Sequence, residues 1–398
     1  MHADPILMIP GPTPVPQAIL EVLARPPIGH RSPEFKAILK SVYQGLQWVF
    51  QTKRPVFLYT ASGTGAMEAA LVNVLNPGDE ILVLSCGVFS QRWADIAKTL
   101  GLVVHLQTVA AGQPHDEAAL ETFLKQDTSH AIRAVCMIHN ETSTGVLNPI
   151  ARLSQIVRVH ADALVIVDTV TSLGAIPFEM DAWQVDLAVS GSQKGFMLPP
   201  GLAFLAASER AMEVHRQCKA PGYYFNFSSY QKNIESAQTP YTPAVGLIRG
   251  LEKALELMQA EGLNAIFERH ALNQRMVRHA AKALDLSLLV EDDAFASPAV
   301  TSVFPPEGVS VDAIRAGIRD RFSMTIADGQ KELAGKIFRI GHLGAIFPRD
   351  VLTVIASLEV VLHEAGYRRT SLGSGTGAAQ QVLLNATTNP KELLVYGG

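Results

Sequence analysis

The chain has 398 residues, 48% hydrophobic and 18% charged, with a formal net charge of −4. That length predicts two or three domains around large cores, and mild acidity gives no reason to expect nucleic acid or an anionic membrane as partner. The widely separated Cys86, Cys136 and Cys218 match neither a metal-site spacing nor a disulfide framework, and no secretory signal or ~20-residue apolar span is visible, so a cytoplasmic protein is expected.

Residues 1–16, "MHADPILMIPGPTPVP", are an N-terminal entry segment in which proline and glycine dominate residues 10–16 and predict irregular backbone there. A helical pattern runs from Glu34 to Phe50. Seven β-rich runs follow: "PVFLYT", "EILVLS", "VVHLQTV", "AVCMIH", "ALVIVD", "DLAVSG" and "LAFLAAS". Helical or turn segments lie between most of them, at Gly65–Leu75, Gln91–Leu100, Glu117–Lys125 and Ile150–Ala161. Near-continuous Val, Ile and Leu strands alternating with helices predict an α/β domain, its mostly parallel sheet covered on both faces.

From about Pro243 the pattern changes. Two long helical stretches, Ala244–Gly262 and Asn264–Leu284, precede "AVTSVF", a helix at Asp312–Phe322, the strand "KIFRIG" and a helix at Arg349–Ala365. The expected plan is a large domain over 17–258 and a smaller α+β domain over 259–366. Residues 367–398, rich in small polar residues, predict a mobile tail with at most a short docking piece.

In open α/β sheets, ligands bind beyond the carboxyl ends of the strands. After "PVFLYT" comes "ASGTGAMEAAL", where Ser62, Gly63 and Thr64 open a helix. They offer backbone N–H groups, hydroxyls and a helix dipole to a phosphate; a tight strand-to-helix turn needing glycine would look the same. Asp168 ends "ALVIV" and is poorly solvated there unless paired, although a turn cap would also explain it. Lys194 follows "DLAVSGSQ", one strand-crossover-strand unit later; a lone lysine would more simply snorkel to water. A phosphate cradle, an acid and a lysine at one sheet edge suit pyridoxal 5'-phosphate: the amine forms the covalent link and the acid keeps the pyridine nitrogen protonated.

The motifs "PGPTPVP", "GHRSPEF", "SGTGAMEAALVNVLNPGD", "HNETSTGV", "VDTVTSLGAIP", "SGSQKGFMLPPG", "TPYTPA" and "FRIGHLG" occur in the order seen in the class V aminotransferases. Over residues 5–366 the chain resembles that family, and within it the alanine–glyoxylate and serine–glyoxylate enzymes. The resemblance implies the pyridoxal-phosphate fold type I. It implies Lys194 as the Schiff-base lysine, Gln193 beside the cofactor phosphate, Asp168 at the pyridine nitrogen and Val170 under the ring. Ser62, Gly63 and Thr64 would hold the phosphate, and Thr142 would meet the ring hydroxyl. Phe89 stands where the family often has a stacking tryptophan. Thr239 and Thr242 would reach the phosphate of a neighbouring subunit, which implies a homodimer with shared sites; the mammalian enzymes carry tyrosine where Thr239 stands.

Arg339 would clamp the substrate carboxylate. Its planar, permanently charged guanidinium suits amino and oxo acids alike, and its apolar neighbours in "KIFRIG" are a poor setting for a solvated arginine; a cross-strand ion pair is the plainer reading. His30 and Arg31 in "GHRSP" have no assigned role. The expected activity moves the amino group of L-alanine or L-serine to glyoxylate. Other class V donors, such as ureidoglycine, 2-aminoethylphosphonate or aspartate, are competing readings, as is a non-catalytic subunit of a larger complex. A desulfurase would need a small-domain cysteine, and none follows Cys218.

Overall fold

The computed structural model describes residues 5–219 and 221–388. Its central sheet has seven strands, ordered from edge to edge Val56–Tyr59, Ala203–Ala207, Leu187–Gly191, Leu164–Asp168, Ile132–Ile138, Glu80–Ser85 and Val103–Thr108. Ala203–Ala207 runs antiparallel to both its neighbours, and the other pairings are parallel. All seven coincide with the β-rich runs of the sequence.

Alternation along each strand feeds two separate cores. Val165 and Val167 face one layer with Val135, Met137 and Ala188. Leu164 and Ile166 face the other with Ala134, Cys136, Leu187 and Val189. The first layer is closed by the helix Pro33–Phe50. Its N-terminus is fixed by Ser32, whose side chain accepts from the Phe35 N–H, with proline at the first helical position. Phe35, Leu39, Val42, Leu46 and Val49 then recur on one buried face.

Parallel pairing sets the strand tips side by side. Ile138 lies opposite Asp168, and Asp168 opposite Val189. The turns after these three strands therefore share one edge of the sheet.

The smaller sheet runs Ile6–Met8, Met324–Asp328, Phe338–Gly341, Val300–Val303. Its first strand lies just before the proline- and glycine-rich residues 10–16. Ile6–Met8 pairs in parallel with Met324–Ile326, so tertiary pairing orders three residues that proline-rich neighbours had masked. The helix Val245–Glu261 contributes Ile248, Leu251 and Met258 to the core beneath the seven-stranded sheet, whereas Met276, Val277 and Ala280 of the helix Leu263–Ala283 belong to the core of the four-stranded sheet.

The expected mobile tail is also corrected. Ser374–Thr388 is a helix against the helices Leu263–Ala283 and Pro348–Glu364. The buried Glu359 carboxylate accepts from Gly375 N at 2.9 Å and from Thr376 N at 3.2 Å and Oγ1 at 2.5 Å. It thus satisfies N–H groups that the first helical turn leaves unpaired. Ala379 is fully buried, and Gly375 has no Cβ to collide with Leu284. Residues 389–398 of the expected tail lie outside the described residues. Among those described, no helix is long and apolar enough to cross a membrane.

Candidate active site

One cavity of about 110 Å³ opens at the shared strand tips. It is lined by Ser62, Gly63, Thr64, Phe89, Thr142, Asp168, Val170, Gln193 and Lys194, together with Met67, Arg92, Ile138 and Thr171. Nine residues singled out from the sequence thus meet around one space. Thr239, Thr242 and Arg339 are not part of its lining.

The wall expected to hold phosphate is the start of the helix Gly63–Val74. Ser62 stands at its N-cap without spending its side chain on the cap. The Gly63 and Thr64 N–H groups and the dipole remain available to an anion, whereas Gly65 N donates to Ser62 O at 2.8 Å. Gly63 has to be small: a Cβ there would meet Val170 Cγ2 at 2.8 Å. The neighbouring Gln193 places its amide oxygen in a buried position with no hydrogen-bond partner. An unpaired amide oxygen accepts and does not bind a phosphate; the N–H₂ end of the same amide, with the two ends exchanged, is what would donate to one.

Burial governs the two ionisable residues at the centre. It pushes the Asp168 carboxyl up to about 7; the Val170 N–H opposes the shift, the Glu141 charge adds to it, and Arg92 and Lys194 oppose it. The bond from Val170 N is 2.7 Å. The Lys194 amine is pushed down to about 8, chiefly by burial. Asp168 resists that shift, while Arg339 and Arg92 add to it. A carboxyl held so high is restored to its anionic form when a cation is placed beside it, as a protonated pyridine nitrogen would be.

Lys194 Nζ donates to the Pro10 carbonyl at 2.7 Å. Gly11 lies flat against the lysine with φ +125°, and a Cβ there would collide with the side chain. Thr13 holds the same stretch: its N–H donates to Gln193 O at 3.2 Å and its hydroxyl to Lys194 O at 3.0 Å. The N-terminal segment is therefore a wall of the lysine's surroundings, which the sequence did not reveal.

Arg339 comes from the four-stranded sheet. Its Nε donates to Asp328 O at 2.7 Å and its Nη1 to Thr142 O at 2.8 Å. Thr142 is part of the cavity wall, so the arginine stands directly behind that wall. The cross-strand ion pair considered from sequence is absent among the described residues, since both acceptors are backbone carbonyls. Burial lowers the guanidinium to about 10, partly offset by Asp328 and Glu141.

Thr239 is buried and its hydroxyl donates to Tyr241 O at 2.7 Å. Thr242 is exposed. Neither reaches this chain's own cavity. Arg31 braces their loop, with Nη1 donating to Gln238 Oε1 at 2.7 Å and to Thr239 O at 2.9 Å.

Two residues at the site escaped the sequence reading. Arg92 lines the cavity, donates to Thr64 Oγ1 at 2.9 Å and places its guanidinium 4.8 Å from the Phe89 ring centroid. Its position three residues after Phe89 on one helix was the available signal. Glu141, wholly buried beside Thr142, carried no comparable mark in "HNETSTG".

A lysine and an acid at adjacent strand tips, facing a helix N-terminus, form the frame of a pyridoxal-phosphate enzyme of fold type I. The comparisons with known proteins say which. The chain matches the Aminotransferase class-V family over residues 17–330 and belongs to it; it is a pyridoxal-phosphate-dependent transaminase. It is 46% identical over 380 residues to a "Soluble hydrogenase 42 kDa subunit" of Anabaena cylindrica, covering 96% of this chain and 99% of that one. It is 36% identical to a "Serine--glyoxylate aminotransferase" of Methylorubrum extorquens, covering 95% of each. The crystal structure of an "Alanine--glyoxylate aminotransferase" from Nostoc sp. superposes with a TM-score of 0.86 at 31% identity, covering 91% of this chain and 96% of that one.

Proposed function

We propose that the chain transfers the amino group of L-alanine or L-serine to glyoxylate, giving pyruvate or hydroxypyruvate and then glycine, in two half-reactions at one site. The observation that carries this reading is Arg339 behind the Thr142 wall. Its Nε and Nη1 are held by backbone carbonyls, which leaves Nη2 without a hydrogen-bond partner among the described residues. A guanidinium held in this way is prepared for a single small carboxylate. The names of the serine–glyoxylate and alanine–glyoxylate relatives agree with such a substrate.

Pyridoxal phosphate, when bound, supplies a carbonyl carbon that links to amines and a ring that draws electron density from the substrate's Cα. Ser62, Gly63, Thr64 and Gln193 would hold its phosphate, Asp168 would keep a positive charge at its ring nitrogen, and Phe89 and Val170 would flank the ring. Lys194 Nζ would carry the covalent link. Once displaced by the donor's amino group, it would take the proton from the substrate Cα. An amine lowered to about 8 is suited to this, because a general base works best with a pKa near the operating pH. Arg339 would fix the carboxylate and so the direction of the Cα–H bond.

Thr239 and Thr242 do not line their own cavity, and we assign them to the phosphate of a partner subunit in a cytoplasmic homodimer. Aspartate as donor is the second reading. Arg92 favours it, as a cavity arginine with no carboxylate partner among the described residues. Initial rates with L-alanine, L-serine and L-aspartate against glyoxylate and pyruvate decide between them. A kcat/KM for alanine or serine with glyoxylate above that for aspartate supports the first reading, and the reverse order replaces it.

A further inference from the structure

We propose that Glu141 is a positioning residue for the reaction: its carboxylate fixes the helix turn that presents the Phe89 ring and, at the same time, the hairpin that presents Thr142. The inference rests on the reading of the cavity as the pyridoxal-phosphate site.

Glu141 is wholly buried and does not line the cavity, so it touches no reacting atom. Its carboxylate accepts from two elements at once. On one side are Phe89 N at 3.3 Å, Ser90 N at 2.8 Å and Ser90 Oγ at 2.9 Å. On the other are Ser143 N at 3.1 Å and Ser143 Oγ at 2.6 Å. Phe89 and Ser90 open the helix Val88–Thr99, where first-turn N–H groups have no partner within the helix and the dipole favours negative charge. Ser143 Oγ reinforces the junction by accepting from Val88 N at 3.0 Å. Gly87 permits the close approach: a Cβ there would meet Glu141 Cγ and Cδ at 2.6 Å.

The backbone of Glu141 belongs to the short strand Asn140–Glu141, paired antiparallel with Val146–Leu147. The next residue is Thr142, whose carbonyl receives Arg339 and whose hydroxyl lies 3.2 Å from Thr171 Oγ1. One buried carboxylate therefore joins the aromatic wall to the wall that Arg339 backs. Charge-assisted bonds of this kind are individually strong, and losing one partner strands the others in a dry interior. The same charge adds to the upward push on Asp168 and opposes the lowering of Arg339.

The test uses E141Q, E141D and S143A, each compared with wild type by three readouts. These are the melting temperature of the apoprotein, the dissociation constant for added pyridoxal phosphate, and the visible circular dichroism per bound cofactor. Glutamine keeps the shape but turns an N–H₂ group toward N–H donors. The expected result for E141Q is a dissociation constant raised about tenfold or more and a reduced dichroism per bound cofactor, because the ring is no longer held at one angle. S143A, which removes Ser143 Oγ from the carboxylate and from Val88 N but keeps the Ser143 N–H bond, should shift both readouts in the same direction as E141Q and by less. Aspartate retains the charge but falls one methylene short, so E141D should be intermediate; it provides the same readouts if E141Q does not fold. A merely structural glutamate would lower the melting temperature and leave affinity and dichroism per bound cofactor at wild-type values. That outcome in either variant overturns the proposal. Wild type that takes up no pyridoxal phosphate would instead overturn the reading of the cavity, whatever the variants do.

Discussion

The turn Ser62–Thr64 and the loop bearing Thr239 and Thr242 present similar small hydroxylated residues, yet they stand differently toward the cavity. The first lines it within one chain. The second is held away from it, with Thr239 turned inward onto Tyr241 O and Thr242 exposed. The first is placed by parallel strand pairing, which a single chain dictates by itself. The second gains a phosphate to bind only if another chain brings one. A binding motif in sequence thus identifies a chemistry without saying whose ligand it serves.

The single-chain half of this contrast is broken most severely at its centre. Asp168→Asn should keep the fold and lower the transamination rate by about 10²–10³-fold, the usual loss when one fixed charge beside a reacting system is removed. Stopped-flow measurement of the half-reaction with L-serine checks this. A loss of less than about threefold would detach Asp168 from the chemistry.

The shared half is sharpened by subunit mixing. A Lys194→Ala chain and a chain with both Thr239→Val and Thr242→Val are each expected to be impaired as homodimers. In a mixed dimer, one site would combine an intact Lys194 with the partner's intact threonines. Activity recovered in the isolated mixed dimer, up to half of wild type because one of its two sites is complete, supports the shared site. No recovery would return the threonines to their own chain or to a purely structural role.

Acid should weaken the fold, with a sign fixed by the buried imidazoles. Burial pushes His115 and His139 down to about 3 and His342 down to about 4, and holds His270 well below its ordinary value. Each group is neutral in the fold while the unfolded chain takes up a proton below about pH 6.5. Their contribution is therefore complete above about 6.5 and is lost as pH falls toward the folded values, at up to about 1.4 kcal/mol per imidazole per pH unit. Asp168 acts in the opposite sense in the apoprotein. Raised to about 7, its stabilising contribution is present below the ordinary carboxylate value of about 4 and fades as pH rises through about 7. Melting curves of apoprotein and holoenzyme across this range should converge toward acid and separate toward neutral. Parallel curves would remove the cofactor's cation from beside Asp168.

The smallest effect belongs to the tail. Glu359→Gln removes acceptors from the start of the helix Ser374–Thr388 and should cost about 1–3 kcal/mol in denaturant unfolding. Cofactor affinity should not change, because the cap joins the helices Pro348–Glu364 and Ser374–Thr388, neither of which lines the cavity. A changed affinity would tie the tail to the site.

The strand tips were legible because apolar runs ending in Asp168, or followed at once by Lys194, have few placements in an α/β sheet. What the sequence hid depends on partners distant in the chain. The strand Ile6–Met8 exists through its pairing with Met324–Ile326. The helix Ser374–Thr388 begins where Glu359 meets it. Arg92 is an ordinary helical arginine until it is seen over Phe89 and bonded to Thr64. Glu141 shows no role until two elements converge on its carboxylate.

The central claim is that Lys194 holds pyridoxal phosphate and yields it to a small amino acid. The most direct test is the visible spectrum of the purified protein during titration with L-alanine or L-serine. The account predicts an absorption band in the wild type, its loss on adding the donor, its return on adding glyoxylate, and no such band in Lys194→Ala. A wild type reconstituted with pyridoxal phosphate that shows no band, or a band that neither donor can bleach, would contradict it.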